Sequence, residues 1–538
     1  MLTRRRLFEL GLPAGLAALV PRTGGAVKAG DDFPFRSPST SPFRVELPVP
    51  PPAERTTIDK DQLIALLRAQ EKPLPQRDLD EEFEAFIRHE ASDEIDLVDL
   101  EMREAWADIL PGYSTLIWGY NGTTPSATIY ARAGRTTVVC FTNNLPEFAG
   151  SHEGTVIHLH GGHMPPEWDG FADEFMPFAS SRYYIYPNKQ RAGTLWFHDH
   201  GMDITGPNVY AGLAGFYLLT DAFEEDLQHR LVLPDPRYEL PLVFQDRLFD
   251  AEGQLFYDAF DHDGFLGDTF LVNGAVQPYC RVEPRRYRLR LLNGSNARYY
   301  ELAFNRDLPF VQIGADSGGL LPAAATRRSI RLAMAERVDV VVDFAKFAGQ
   351  SVVLNNILEQ DDGRGPDDVD RSNPTPLVRF DVTVPMSAVP DCAPVNDKMP
   401  LRPLDAPVGP IARRRTFEFE RKNGAWAIND RFFDPRVSDA VVRLGDIEVW
   451  SLVNKSGGWE HPVHIHDVPF LILERNGRKP PAWEAGWKDT VNLGPNDTVR
   501  VMLRFDDYVG KYLYHCHNVE HEDMRMMGRF DVVPRTTA

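Results

Sequence analysis

At 538 residues, 43% of them hydrophobic and 11% aromatic, the chain is long enough for about three or four domains and can bury a core in each. A formal charge of -20, with no long Lys or Arg run beyond the N-terminus, argues against nucleic acid and anionic membrane surfaces as partners. Four cysteines exclude a disulfide scaffold, and the absence of about eighteen consecutive apolar residues excludes a membrane-spanning helix.

The chain opens on Thr3-Arg4-Arg5-Arg6-Leu7-Phe8 and a short, weakly apolar run from Leu10 to Val20. Paired arginines before such a run resemble a bacterial twin-arginine signal, here residues 1–29 with cleavage after Ala29, so export to the periplasm or beyond is expected. Phe33 to Pro52 is Pro- and Ser-rich and reads as an extended arm. Asp59, with Gln62 three residues on, is the capping box of a helix.

A first β-rich block, 43–222, follows. Its strands are Ile95 to Met102, then Thr128 to Thr142 ending in a turn at Asn143-Asn144-Leu145-Pro146, and two runs carrying His158/His160 and His198/His200. A second block, 238–385, has clear strands at Phe270–Gly274, Tyr287–Gly294 and Val338–Phe344. Its one histidine is His262, so it is not expected to bind metal by itself. Asp361 to Pro376 reads as a surface loop and 386–413 as a proline-rich linker. The third block, 414–538, contains Ile447–Asn454, then His461-Pro462-Val463-His464-Ile465-His466, and closes on Tyr514-His515-Cys516-His517. Short strands punctuated by Gly and Pro predict an all-β chain of sandwiches or barrels.

The chemistry is concentrated in histidine. Ten of the fifteen histidines form four clusters: His158/His160, His198/His200, His461/His464/His466 and His515/His517/His521. Two lie in the first block, two in the third and none between, a distribution that predicts two distant segments meeting around shared metal. A strand alternates its faces, so Cys516 points away from His515 and His517 and one strand can serve two sites. Thiolate, imidazole and thioether are the ligands of a blue-copper site. Cys516, His521 and one of Met524, Met526 and Met527 supply three of its four ligands, and His461, set apart by Pro462, is the best candidate for the fourth. Eight imidazoles remain, all in i, i+2 pairs, which suit a polynuclear copper site between domains. Of the other cysteines, Cys140, Cys280 and Cys392, at least one must stay free.

These four motifs, together with Trp118-Gly119-Tyr120-Asn121-Gly122, Asn208-Val209-Tyr210-Ala211-Gly212-Leu213 and Gly486-Trp487-Lys488-Asp489-Thr490, resemble the multicopper oxidases of the three-domain bacterial laccase type over roughly residues 43 to 535. The resemblance implies three cupredoxin-like Greek-key β-barrels and four copper ions. It assigns His461, Cys516, His521 and Met526 to a type 1 copper and His158 with His464 to a type 2 copper. His160, His198, His200, His466, His515 and His517 would hold a type 3 pair. It further implies one-electron oxidation of a phenol or aminophenol at the type 1 site, electron passage through Cys516, and reduction of O₂ to water. Asp169 and Glu522 stand where similar enzymes carry proton-relaying carboxylates. Alternative readings are a bilirubin oxidase, an oxidase of Cu(I) or Mn(II), and a copper-free protein of the same fold. Twelve methionines without a Met-rich insertion weigh against a cuprous oxidase, and the complete ligand set weighs against lost copper.

Overall fold

The computed structural model describes residues 36–70, 79–147 and 154–535, so the expected signal lies outside the described residues. The fold is all-β, three Greek-key barrels in chain order, each made of two sheets closed over its own apolar core. One topological device recurs in all three. In each barrel an early strand pairs parallel with a later one: Ile95–Ala107 with Thr136–Asn143, Glu239–Phe249 with Arg286–Asn293, and Ile411–Lys422 with Ile447–Asn454. The opposite sheet repeats this with Ile129–Arg132 on Ala214–Thr220, Tyr279–Arg281 on Thr375–Asp381, and Ala440–Arg443 on Met527–Val533. Parallel neighbours cannot be joined by a hairpin, so the chain must cross between sheets, which closes each barrel.

Burial patterns identify the strands that carry the site. Ile129–Arg132 and Ala440–Arg443 alternate buried and exposed residues, as strands with one wet face do. Ile157–His160, Gly193–Asp199 and His461–Ile465 are instead buried at every position. One face packs on the barrel core and the other is covered by a neighbouring barrel.

The run from Thr128 to Thr142 is not one strand but two, Ile129–Arg132 and Thr136–Asn143, in different sheets. Gly134 turns the corner at φ +79°, a conformation glycine adopts without strain. The N-terminal arm is extended, yet Leu47 is buried in the second core, and the arm bridges Tyr279 through Glu46 before reaching Thr128 through Pro52. Residues 386–413 are a strap: Leu401 is buried, Pro400 bridges Ala323, and the last three residues already belong to strand Ile411–Lys422. The Asp59 capping box starts helix Lys60–Ala69 as expected. A second helix, Glu81–Glu90, packs Phe83 and Phe86 against Trp168 at 6.2 and 6.3 Å between ring centroids. The Trp196–Phe216 contact surface joins the first barrel to Val243 and Leu292 of the second, and Phe171 meets Phe433, Leu513 and Met527 across the first and third.

Candidate metal centre

Strand Gly510–Cys516 lies antiparallel to His461–Ile465, with Cys516 opposite Val463 and His515 opposite His464. This register brings His461 Nδ1 to 3.4 Å from Cys516 Sγ, while the short helix Val519–Asp523 returns His521 Nδ1 to 3.5 Å from the same sulfur. The two Nδ1 atoms are 3.2 Å apart. The centre of so nearly equilateral a triangle is about 2 Å from each corner, the length of a metal bond to nitrogen or sulfur. The outer nitrogens are anchored, His461 Nε2 on Ser456 Oγ at 2.7 Å and His521 Nε2 on the Asp263 carbonyl at 3.1 Å. Each ring thus turns its Nδ1 lone pair inward. Of the three methionines, Met526 is fully buried in the same core cluster as Cys516, and its backbone bonds to Cys516 and His521. Met524 is only partly buried at the edge of that cluster, and Met527 packs into the contact between first and third barrels. Trp426 covers His521, ring centroids 3.9 Å apart.

Burial holds His461 at about 3 and His521 well below the ordinary range, so both rings are neutral donors. Burial pushes the Cys516 thiol up, so a cation must displace its proton before the sulfur can act as a thiolate.

Behind the strand the remaining eight histidines converge, all of them buried. His158 pairs across from His198 in the first barrel, and His464 from His515 in the third. The ring donors of His160, His198 and His517 lie within 4.8 Å of one another, as do those of His200, His466 and His515. His158 Nε2 and His464 Nε2 are 3.4 Å apart. Burial, the largest cause, holds His198 at about 3, His200 at about 4, and His158, His160, His464, His466 and His517 well below the ordinary range. His198 Nε2, His160 Nδ1 and both nitrogens of His517 have no hydrogen-bond partner. A buried orphan of this kind costs about 1–3 kcal/mol. Neutral, orphaned imidazole nitrogens aimed at common points are the donor set that metal ions would satisfy, so the residues fit copper.

Two aspartates anchor these rings reciprocally. Asp169, from the first barrel, accepts His158 Nδ1 on its carbonyl at 2.6 Å and His466 Nδ1 on its carboxylate at 2.8 Å. Asp489, from the third, accepts His464 Nδ1 on its carbonyl at 2.8 Å and His160 Nε2 on its carboxylate at 3.0 Å. The corresponding rings stack, His158 on His466 at 3.9 Å and His160 on His464 at 3.6 Å. The electrostatics differ. Burial, with Asp467 and Glu174 nearby, raises the Asp169 carboxyl well above its usual range, whereas Arg337 and His160 overcome burial and hold Asp489 well below. Glu522 accepts the Thr205 hydroxyl at 2.9 Å, and its Oε2 lies 3.0 Å from His515 Nδ1, whose hydrogen bond goes to the Cys516 carbonyl. Burial alone would raise it, but His515 and His200 bring it down to about 2.

All twelve expected ligands therefore lie in these two neighbouring centres or, for Met526, in the core directly around one of them. Asp169 and Glu522 both touch the eight-histidine centre. Sequence reasoning did not assign roles to Asp489, Thr490, Arg337, Thr205, Asp263 or Trp426. Asp489 and Thr490 stood in a quoted motif without a function, and the others carry no local signal.

The chain matches family models described as multicopper oxidase over residues 101–223 and 407–536. It is 36% identical to a laccase of Bacillus stratosphericus over 483 residues, covering 78% of this chain and 91% of that one. It is also 36% identical to the bilirubin oxidase of Albifimbria verrucaria over 431 residues, covering 77% and 72%. A laccase crystal structure from Pediococcus acidilactici superposes with a TM-score of 0.74 at 30% identity, covering 94% of this chain and 98% of that one.

Proposed function

We propose, from the premise that this chain belongs to the multicopper oxidases and is a laccase-like copper oxidoreductase using O₂, that it draws electrons singly from phenols or aminophenols at the Cys516 centre and delivers four of them to O₂ at the eight-histidine centre. His461, Cys516, His521 and Met526 would hold a type 1 copper, and His158 with His464 a type 2 copper. His160, His198 and His517 would hold one ion of the type 3 pair and His200, His466 and His515 the other, for four ions in all. Copper, once bound, supplies the one-electron oxidation at the first centre and the reduction of O₂ at the second.

The observation that carries this reading is the sharing of one strand. Cys516 Sγ belongs to one donor set, while its covalent neighbours His515 and His517 belong to the other. Cys516 would then be the residue through which electrons leave the first centre, and its two backbone neighbours would link it to the copper they hold, which would be reduced. Water formation also needs four protons. Asp169 Oδ1 has no hydrogen-bond partner, and burial raises its carboxyl, which favours the protonated form beside His466. Glu522 accepts the Thr205 hydroxyl and faces His515, which places a carboxylate where it can pass protons to the centre. The paired Arg4-Arg5 and the apolar run after them support export by the twin-arginine route to the periplasm or outside.

An oxygen electrode tests the substrate class directly. Purified, copper-loaded protein should be blue, carry about four coppers per chain, and consume O₂ with phenol and o-aminophenol faster than with Cu(I) or Mn(II). Bilirubin belongs in the same screen because of the relative named for it. A colourless protein that stays inactive after copper loading would contradict the proposal.

A further inference from the structure

We infer that Asp489, clamped by Arg337 of the second barrel, is the positioning residue that turns His160 Nδ1 toward the eight-histidine centre. The inference rests on the copper reading above and gives the metal-free second barrel a part in building the metal site.

His160 is oriented unlike its neighbours. His158, His198, His464, His466 and His515 all anchor Nδ1 on an oxygen, leaving Nε2 free to face inward. His160 anchors Nε2 instead, on Asp489 Oδ1 and Thr490 Oγ1, both at 3.0 Å, and its orphan is Nδ1. Whatever holds Nε2 therefore decides whether this ring can donate.

Asp489 is held by donors alone. Its Oδ1 accepts from Arg337 Nη1 at 2.8 Å, Thr490 Oγ1 at 2.9 Å and His160 Nε2; its Oδ2 accepts from the Ser317 amide at 3.1 Å and from Arg337 Nη2. Arg337 is itself fully buried and touches all three barrels. Its Nε donates to the Thr194 carbonyl of the first at 2.9 Å, its Nη1 to the Ala335 carbonyl of the second at 2.7 Å, and its fork to Asp489 of the third. Gly161 makes room for the pair. A Cβ there would meet Asp489 Oδ2 at 2.5 Å and Arg337 Nη2 at 2.8 Å. The glycine that follows His160 thus has a physical reason in the second barrel's arginine.

The reciprocal aspartate supplies the contrast. The Asp169 carboxylate accepts His466 through Oδ2 while Oδ1 has no hydrogen-bond partner. An amide in place of that carboxylate can keep its oxygen on His466. An amide at 489 is poorly accommodated: its N–H groups would meet Arg337 and the Ser317 amide on the Oδ2 side, or Arg337 and His160 Nε2 on the Oδ1 side, where only the Thr490 hydroxyl can accept.

The test uses the full-length, copper-loaded protein in competition with a copper chelator, following blue colour for the Cys516 centre and the copper count and electron paramagnetic resonance spectrum for the other. Asp489→Asn should weaken binding at the eight-histidine centre about 10- to 100-fold, as loss of a partner behind a ligand does, with the blue colour unchanged. Asp169→Asn should retain its copper there. Thr490→Val removes one of the two oxygens on His160 Nε2 without disturbing the ion pair and should weaken the same centre by roughly the lower figure. Binding within twofold of the parent protein in both 489 and 490 variants overturns the inference. If Asp489→Asn yields no folded, blue protein, Thr490→Val decides alone, with unchanged binding again overturning it. A parent protein that binds no copper breaks the copper reading instead, an outcome distinguishable from either variant's behaviour.

Discussion

Around Cys516 every donor comes from one barrel, on two adjacent strands and the short helix that follows, and the ring anchors are a serine of the same barrel and one carbonyl of the second. Around the eight histidines the donors come from both first and third barrels, the anchors of His160 and His466 cross from one to the other, and the second barrel holds one of those anchors through Arg337. A locally built site depends on one core being folded. A site built between barrels depends in addition on how they dock, so disturbances at interfaces should separate the two centres.

The largest separation is expected from Asp169 and Glu522, the two carboxylates proposed to handle protons. Glu522→Gln and Asp169→Asn each keep an oxygen for the histidine they face, so copper content and colour should persist while turnover falls about 10²- to 10⁴-fold, the range for removing a general acid or base. Steady-state O₂ uptake beside a copper count checks this. Loss of colour in either variant would mean that the centres are not separable in this way.

A smaller effect is expected at the docking surface itself. His163 of the first barrel lies 2.9 Å from Asp467 and 3.4 Å from Asp507 of the third. Burial would lower this imidazole, but the two carboxylates outweigh it and raise it to about 10, against 6.5 when unfolded. Its contribution to stability is thus fully present below pH 6.5 and is lost as pH rises through about 10. Thermal unfolding of His163→Gln should fall below the parent protein by roughly 2–4 °C at pH 6 and converge with it near pH 10 or above. A pH-independent difference would remove the charge from the explanation.

How much of this was legible in the sequence follows the same division. The Cys516 set could be read because alternation on one strand and a short return fix Cys516, His515, His517 and His521 relative to one another. The i, i+2 pairs announced which rings share a face, and their distribution in two blocks announced that the blocks meet. Choosing Met526 over Met524 and Met527 took the resemblance, and in the structure burial gives the physical distinction. Arg337 could not be read, because a strand arginine in a block without ligands carries no mark of a partner 152 positions away. Thr128 to Thr142 was misread as one strand because β-branched residues on both sides of Gly134 hide a corner that changes sheets. The helix Glu81–Glu90 also went unseen, although its burial of Phe83 against Trp168 supports the turn that presents Asp169.

The central claim is that one residue, Cys516, joins a local oxidising site to an oxygen-reducing site between barrels. Cys516→Ser, analysed for copper and for O₂ uptake with a phenol, tests it most directly. The account predicts a colourless protein that retains about three of the four coppers proposed for it and has lost turnover. A variant that still consumes O₂ at the parent rate would contradict it.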